Sequence, residues 1–216
     1  MRIHRFVIVC VLALGLASAA SAQVAGEITL PGATDNWSAT AGRTVGSGNG
    51  VIMGEVGWPG ISGQYSKGLD DRSDIGFRAS FLYGFEGTTN SLVGMNLAVP
   101  YRRQLYNETR LGVTGHIDPG ISFYGNRGAD TGNLFGVGGP IGLTAGYRMD
   151  DRLTLDLTGD VDTLISFSNP AGVFFGPKVG VGGEYKLDKD LAVTLRTKIG
   201  PEFGVVNGGS GASSRS

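Results

Sequence analysis

His116, Asp118 and Ser122 come nearest, by type and spacing, to a nucleophilic catalyst in this chain. A serine deprotonated by a histidine, with an acid orienting the imidazole, is the arrangement of acyl-transfer enzymes. On an extended strand the three positions share one face, unless a bulge at Pro119-Gly120 turns Ser122 away. A lipid hydrolase is therefore one function the pattern could support. The simpler expectation is a histidine satisfied by a neighbouring carboxylate, since no G-x-S-x-G surrounds Ser122. On that expectation the chain is not an enzyme and has no catalytic residue. His4 and His116 are the histidines and Cys10 is the single cysteine, so neither a metal cluster nor a cofactor is expected. Gly136-Val137-Gly138-Gly139 lacks a following Lys-Ser/Thr and helix, which excludes a phosphate-cradling loop.

A larger set of charged residues recurs on the polar side of alternating runs. It comprises Glu55, Arg78, Glu86, Arg110, His116, Asp118, Asp156, Asp160, Asp162, Lys178, Glu184, Arg196 and Lys198. The signs are mixed. Were this face enclosed, each charge would need a partner, because an unpaired buried charge is far costlier than a paired one. The expectation is an internal ion-pair network. A narrow path for small solutes or ions is the functional alternative.

These residues need strands to hold them, and the sequence supplies strands almost throughout. Leu153, Leu155, Leu157 and Val161 alternate with Thr154, Asp156, Thr158 and Asp160. Leu191, Val193, Leu195, Thr197 and Ile199 oppose Ala192, Thr194, Arg196 and Lys198. A period of two points each set to one face. Strands are expected at about 51–66, 74–87, 91–104, 109–125, 134–149, 152–167, 172–187 and 191–206, with a short one at 37–46. No stretch has helical periodicity. The fold class is all-β, an up-and-down antiparallel β-barrel of eight to ten strands.

Arg2, His4 and Arg5 precede an apolar stretch from Phe6 to Leu16, and Ala20-Ser21-Ala22 follows as a small-x-small site. This is the order of a cleaved export signal. The expected division is a signal peptide at 1–22, a flexible segment at 23–36, one β-domain at 37–206 and a flexible tail at 207–216. The formal net charge is −1, and −3 without the two arginines of the leader, which gives no reason to expect nucleic acid. Beyond the leader no run of 18 apolar residues occurs, so a membrane could be crossed only by strands.

Four copies of one phrase punctuate the chain: Tyr65-Ser66-Lys67, Tyr101-Arg102-Arg103, Tyr147-Arg148-Met149 and Tyr185-Lys186-Leu187, each leading into a tight polar turn. Trp58, Phe123, Phe175 and Phe203 lie near the opposite strand ends. At about 3.3 Å per residue and a tilt of about 40°, the two aromatic groups stand roughly 28 Å apart in height. An apolar band of about 25 Å between aromatic girdles is what a lipid bilayer imposes. The expected girdle is Trp58, Tyr65, Tyr101, Phe123, Tyr147, Phe175, Tyr185 and Phe203. Pro59, Pro100, Pro119, Pro140, Pro177 and Pro201 fall within or at the ends of the runs and are expected to mark a rim or a ring of kinks.

With the leader ending Ala20-Ser21-Ala22, the units Gly146-Tyr147-Arg148-Met149-Asp150-Asp151-Arg152-Leu153 and Glu184-Tyr185-Lys186-Leu187-Asp188-Lys189-Asp190-Leu191 resemble the strand–turn–strand phrases of small Gram-negative outer-membrane β-barrels of the eight-stranded, porin-like or opacity type. The resemblance implies a place in the outer membrane, with lipid as partner and a structural or minor-pore role. The chain departs from that family in having 13 residues after its last aromatic, Phe203, and in an odd strand count. Two other functions stay open: a periplasmic lipocalin-like carrier with an apolar interior, and the outer-membrane lipid hydrolase.

Overall fold

The computed structural model describes residues 21–29, 37–58, 60–83, 93–125, 133–168 and 171–206. Among them there is no helix. The strands are β1 (Ser21–Thr29), β2 (Gly50–Gly57), β3 (Gly60–Gly68), β4 (Ser73–Leu82), β5 (Val93–Ala98), β6 (Tyr101–Asn107), β7 (Leu111–Ile117), β8 (Gly120–Gly125), β9 (Leu134–Arg148), β10 (Leu153–Ser166), β11 (Gly172–Asp188), β12 (Leu191–Ile199) and β13 (Phe203–Val206). Every pairing between them is antiparallel. The all-β, antiparallel expectation is met.

Neighbours in the sequence are mostly neighbours in the sheet. The pairs run β9–β10–β11–β12–β1–β2–β3–β4. Beyond β4, the strands β4, β5, β8, β9, β7 and β6 pair in a ring of six. That ring has a simple origin. β5 and β6 are halves of one run split at Val99-Pro100, and β7 and β8 are halves of another split at Asp118-Pro119. A proline has no N–H to give to a ladder, so pairing lapses there. The neighbouring backbone bridges each lapse. The Gly76 N–H donates to the Pro100 carbonyl at 2.7 Å, Val99 N–H to Pro119 at 2.9 Å and Asp118 N–H to Pro140 at 3.0 Å. The three prolines therefore lie along one line across adjacent strands. Pro140 and Pro177 sit within continuously paired strands, opposite Asp162 and Val161. A line of kinks describes these prolines better than a rim. Pro59 lies outside the described residues.

Three expectations need correction. Residues 23–36 were expected to be flexible, but 21–29 form β1, paired with β12 and β2. The segment alternates Val24, Gly26 and Ile28 against Gln23, Ala25 and Glu27, which suffices once neighbours supply both ladders. The run at 51–66 is two strands, β2 and β3. Its outward residues are even-numbered before the break (Ile52, Val56) and odd-numbered after it (Ile61, Tyr65), and that change of parity marks the turn. Residues 37–46 form no strand. Of the expected leader (1–22), residues 1–20 lie outside the described residues, as does the expected tail (207–216), while Ser21 and Ala22 begin β1.

The two faces of the sheet differ sharply. On β11, Val173, Phe175, Val179, Val181, Tyr185 and Leu187 are exposed, while Gly176, Gly180 and Glu184 are buried. On β10, Leu155, Leu157, Val161 and Ile165 are exposed, while Asp156, Thr158 and Asp160 are buried. The inner face is polar and the outer face apolar. The buried apolar cluster is small: Trp37, Ala39, Val45, Val51, Met53 and Ala192.

Candidate functional site in the polar interior

Strand alternation delivers the charged residues to the inner face, and there they pair. Arg78 meets Asp118 at 2.8 Å, Lys178 meets Asp162 at 2.8 Å and Arg196 meets Asp156 at 3.0 Å. Asp160 takes both His116 Nε2, at 2.9 Å, and the Lys198 ammonium. The Glu55 carboxylate accepts from Ser62 Oγ at 2.6 Å. Between the charges, Thr114, Thr144 and Thr158 stand side by side in register and buried, with the Thr144 and Thr158 hydroxyls 3.1 Å apart. Arg110 was expected in this network and is not in it. It is exposed beside the β6–β7 turn, where its carbonyl accepts from the Arg148 N–H. Strand alternation lapses before Leu111, so parity does not extend to Arg110. Glu86 lies outside the described residues.

Ser122 does share the inner face with His116 and Asp118, but the three take different partners. His116 is on Asp160, Asp118 is on Arg78, and Ser122 Oγ accepts from the Asn96 amide at 2.9 Å. No relay connects them. Among the described residues no group of histidine, cysteine and carboxylate side chains could hold a metal ion.

Sequence periodicity does not reveal the feature that organises this interior. Trp37 through Val45 are nine consecutive buried residues outside any strand. The sheet curls around them. Gly42 (φ +77°) is pressed so closely between Gly112 on β7 and Gly146 on β9 that a Cβ on it would stand 2.4 Å from the Gly146 nitrogen and 2.5 Å from the Gly112 oxygen. Only glycine combines that dihedral with that approach. Beyond it the Gly46 carbonyl presses on β3, where a Cβ on Gly68 would stand 1.7 Å from the Gly46 oxygen.

Some of the segment's peptide groups are satisfied internally, Thr40 and Ala41 N–H by Ser38 Oγ, and others by side chains of the surrounding strands. Arg102 on β6 donates to the carbonyls of Ser38, at 3.1 Å, and Ala39, while its guanidinium grips Asp74 on β4 at 2.7 and 2.9 Å. Asp74 accepts the Val45 N–H at 3.0 Å. Arg196 on β12 donates to the Thr40 carbonyl at 2.8 Å. Arg43 reaches out to the carbonyls of Glu108 and Thr109. Burial raises the cost of the Arg43 charge, and with Arg148 nearby its pKa is held below the usual arginine value. Glu184 on β11 is 1% exposed and accepts from Ser38 Oγ at 2.8 Å and Thr40 Oγ1 at 3.2 Å. Trp37 closes the end, its indole N–H on the Lys189 carbonyl at 2.9 Å and the Lys186 ammonium 5.0 Å from its ring centre. Inward Gly112 and Gly146, at positions where alternation elsewhere places polar side chains, were the one signal of an object to accommodate.

Beside the segment is a cavity of about 340 Å³, lined by Thr40, Glu55, Arg78, His116, Asp118 and Lys178 among others. It lies on the side of the segment away from the tyrosine turns.

Of the expected girdle residues, Tyr65, Tyr147 and Tyr185 lie beside turns and Trp58, Phe123, Phe175 and Phe203 lie toward the opposite strand ends. Tyr101 instead lies midway along the split β5–β6 run, paired with Ile75 and Ile117 at the level of Ile141. Trp58, Tyr65, Phe123, Tyr147, Phe175 and Tyr185 are exposed, and Tyr101 and Phe203 are half-buried. At the end away from the tyrosine turns the rings touch across strands. Phe123 and Phe135 are 4.9 Å apart, Phe135 and Phe167 6.0 Å, Phe175 and Phe203 5.3 Å, and Trp58 and Tyr83 6.0 Å. No protein-family model, curated protein or solved structure matches this chain.

Proposed function

We propose that the chain is an outer-membrane β-barrel with a structural or minor-pore role, its lumen closed at the tyrosine-turn end by residues 37–45. On this reading the split halves β5–β6, β7–β8 and β12–β13 each count once and the wall has ten strands, an even number as bacterial single-chain barrels have. An eight-stranded barrel is just filled by its own side chains, so ten strands leave room for an inserted segment.

The observation that carries the reading is the inverted distribution of polarity. Large apolar side chains, from Ile52 on β2 to Ile199 on β12, are exposed around the outer face, while Asp74, Asp156, Asp160 and Glu184 are buried. Water would reward the opposite arrangement; lipid rewards this one. A carrier of apolar ligands needs an apolar interior, and these buried carboxylates argue against one. The aromatic groups add support. Phe135 and Tyr147 lie twelve residues apart on β9, and Phe175 and Tyr185 ten apart on β11. At about 3.3 Å per residue and a tilt near 40°, that is about 25–30 Å of height.

Membrane extraction tests the proposal. The protein should stay with outer membranes through alkaline carbonate and urea, and should migrate faster on gels unheated than boiled. Release into the soluble fraction without detergent refutes it.

A further inference from the structure

We propose that residues 37–45 are a releasable plug: a self-closed loop, clamped by Arg102 and Arg196, whose withdrawal opens the lumen to small ions. The inference rests on the barrel reading above and goes beyond it. Four observations carry it. The segment spans the interior, from Asp74 on β4 at one side to Glu184 and Arg196 on β11 and β12 at the other. It forms a loop closed on itself, with the Ser38 N–H donating to the Thr44 carbonyl at 3.3 Å. It contributes no rung to any ladder between strands, so withdrawing it breaks no strand pair of the wall. It borders the 340 Å³ cavity, whose lining is rich in paired charges.

The loop's attachment sets the direction of travel. Ile28 of β1 pairs with Leu191 beside the β11–β12 turn, and Gly50 of β2 pairs with Lys67 beside the β3–β4 turn. The connection from β1 to β2 therefore belongs to the tyrosine-turn end, and the loop hangs inward from that end. Arg102 and Arg196 retain it by its carbonyls, Asp74 by the Val45 N–H and Glu184 by the Ser38 and Thr40 hydroxyls. A two-position device of this kind is biased by changing what holds one position.

Planar-bilayer recording on the full chain tests this. The native protein should show rare openings. In protein that still inserts, as read by heat-modifiable mobility and carbonate resistance, Arg102→Gln or Arg196→Gln should raise the open fraction at least tenfold. The Thr40 and Thr194 hydroxyls are 3.2 Å apart. Cys10, in the expected leader, is the one native cysteine. A Thr40→Cys/Thr194→Cys pair should therefore lock the loop: oxidation should silence the Arg102→Gln channel, and reduction should restore it. Should the arginine variants fail to insert, the cysteine pair in the native background decides alone, by whether reduction restores the rare openings that oxidation abolishes. Arginine variants that insert and stay as quiet as the native protein overturn the plug, as does a lock that leaves conductance unchanged. Loss of carbonate resistance in the native chain instead overturns the barrel reading beneath it.

Discussion

The orientation of the outer face can be measured residue by residue along β11. Val179 lies midway between Phe175 and Tyr185 and is 57% exposed. Val173 and Leu187, on the same face, lie just beyond the two aromatic levels and are also exposed. Arginine placed at each position reads the polarity of what lies outside. On the proposed membrane reading, with aromatic levels about 25–30 Å apart, Val179→Arg puts a guanidinium near the middle of the hydrocarbon, which costs about 2–4 kcal/mol. Val173→Arg and Leu187→Arg reach the interfaces and cost about 0–1 kcal/mol. The folding equilibrium into lipid vesicles, titrated with urea or guanidinium, should fall by roughly 30- to 700-fold for Val179→Arg and far less for the other two. A flat series, with all three within about 0.5 kcal/mol of the native protein as for ordinary water-facing positions, refutes the membrane argument.

Two further substitutions probe the interior. Arg102→Met leaves Asp74 buried without its cation and strips two plug carbonyls of their donor, so it should cost about 3–5 kcal/mol in the same titration. Exposed Arg103→Met next to it should change stability by about 0.5 kcal/mol or less. Gly146→Ala would bring a Cβ to 1.9 Å from the Ala41 oxygen, whereas Gly63→Ala meets nothing within 4 Å. The first should lose about 1–3 kcal/mol or displace the loop, which Trp37 fluorescence would report, and the second should be close to neutral.

The alternating strands made the wall legible. Leu155 and Asp156, or Val181 and Glu184, announce opposite faces from sequence alone, because period two leaves no third choice. Which face is buried needed three-dimensional structure, since apolar-in and apolar-out sheets share one pattern. The ion pairs were half legible. Strand parity assigned Arg78, Asp118, Asp156, Asp160 and Arg196 to one face, but partners 40 residues apart, such as Arg78 with Asp118, follow only from register. Arg102 and Asp74 were missed because each adjoins a tyrosine turn, where they read as surface charge. The plug was illegible for a stronger reason. Its peptide groups are satisfied by Ser38 Oγ and by side chains from far strands rather than by a ladder, so Ser38 to Val45 needs no periodicity of its own.

Those far partners bear on how the chain assembles. Trp37 bonds to a residue 152 positions away, Thr40 to one 154 away, and the Thr40 carbonyl to one 156 away. β1 and β12, near the two ends of the chain, are also joined in the sheet. Each doubling of a loop adds only about 0.6 kcal/mol of closure entropy, so such contacts cost little once made. Kinetically they are the slow ones, because folding rates fall as contacting residues lie farther apart in sequence. The first and last strands are thus tied twice, by a backbone ladder and by hydrogen bonds through the loop between β1 and β2. Joining the N-terminal and C-terminal strands becomes one cooperative event in two layers, and a chain lacking its final strands would leave the loop's carbonyls and hydroxyls without the partners that hold them.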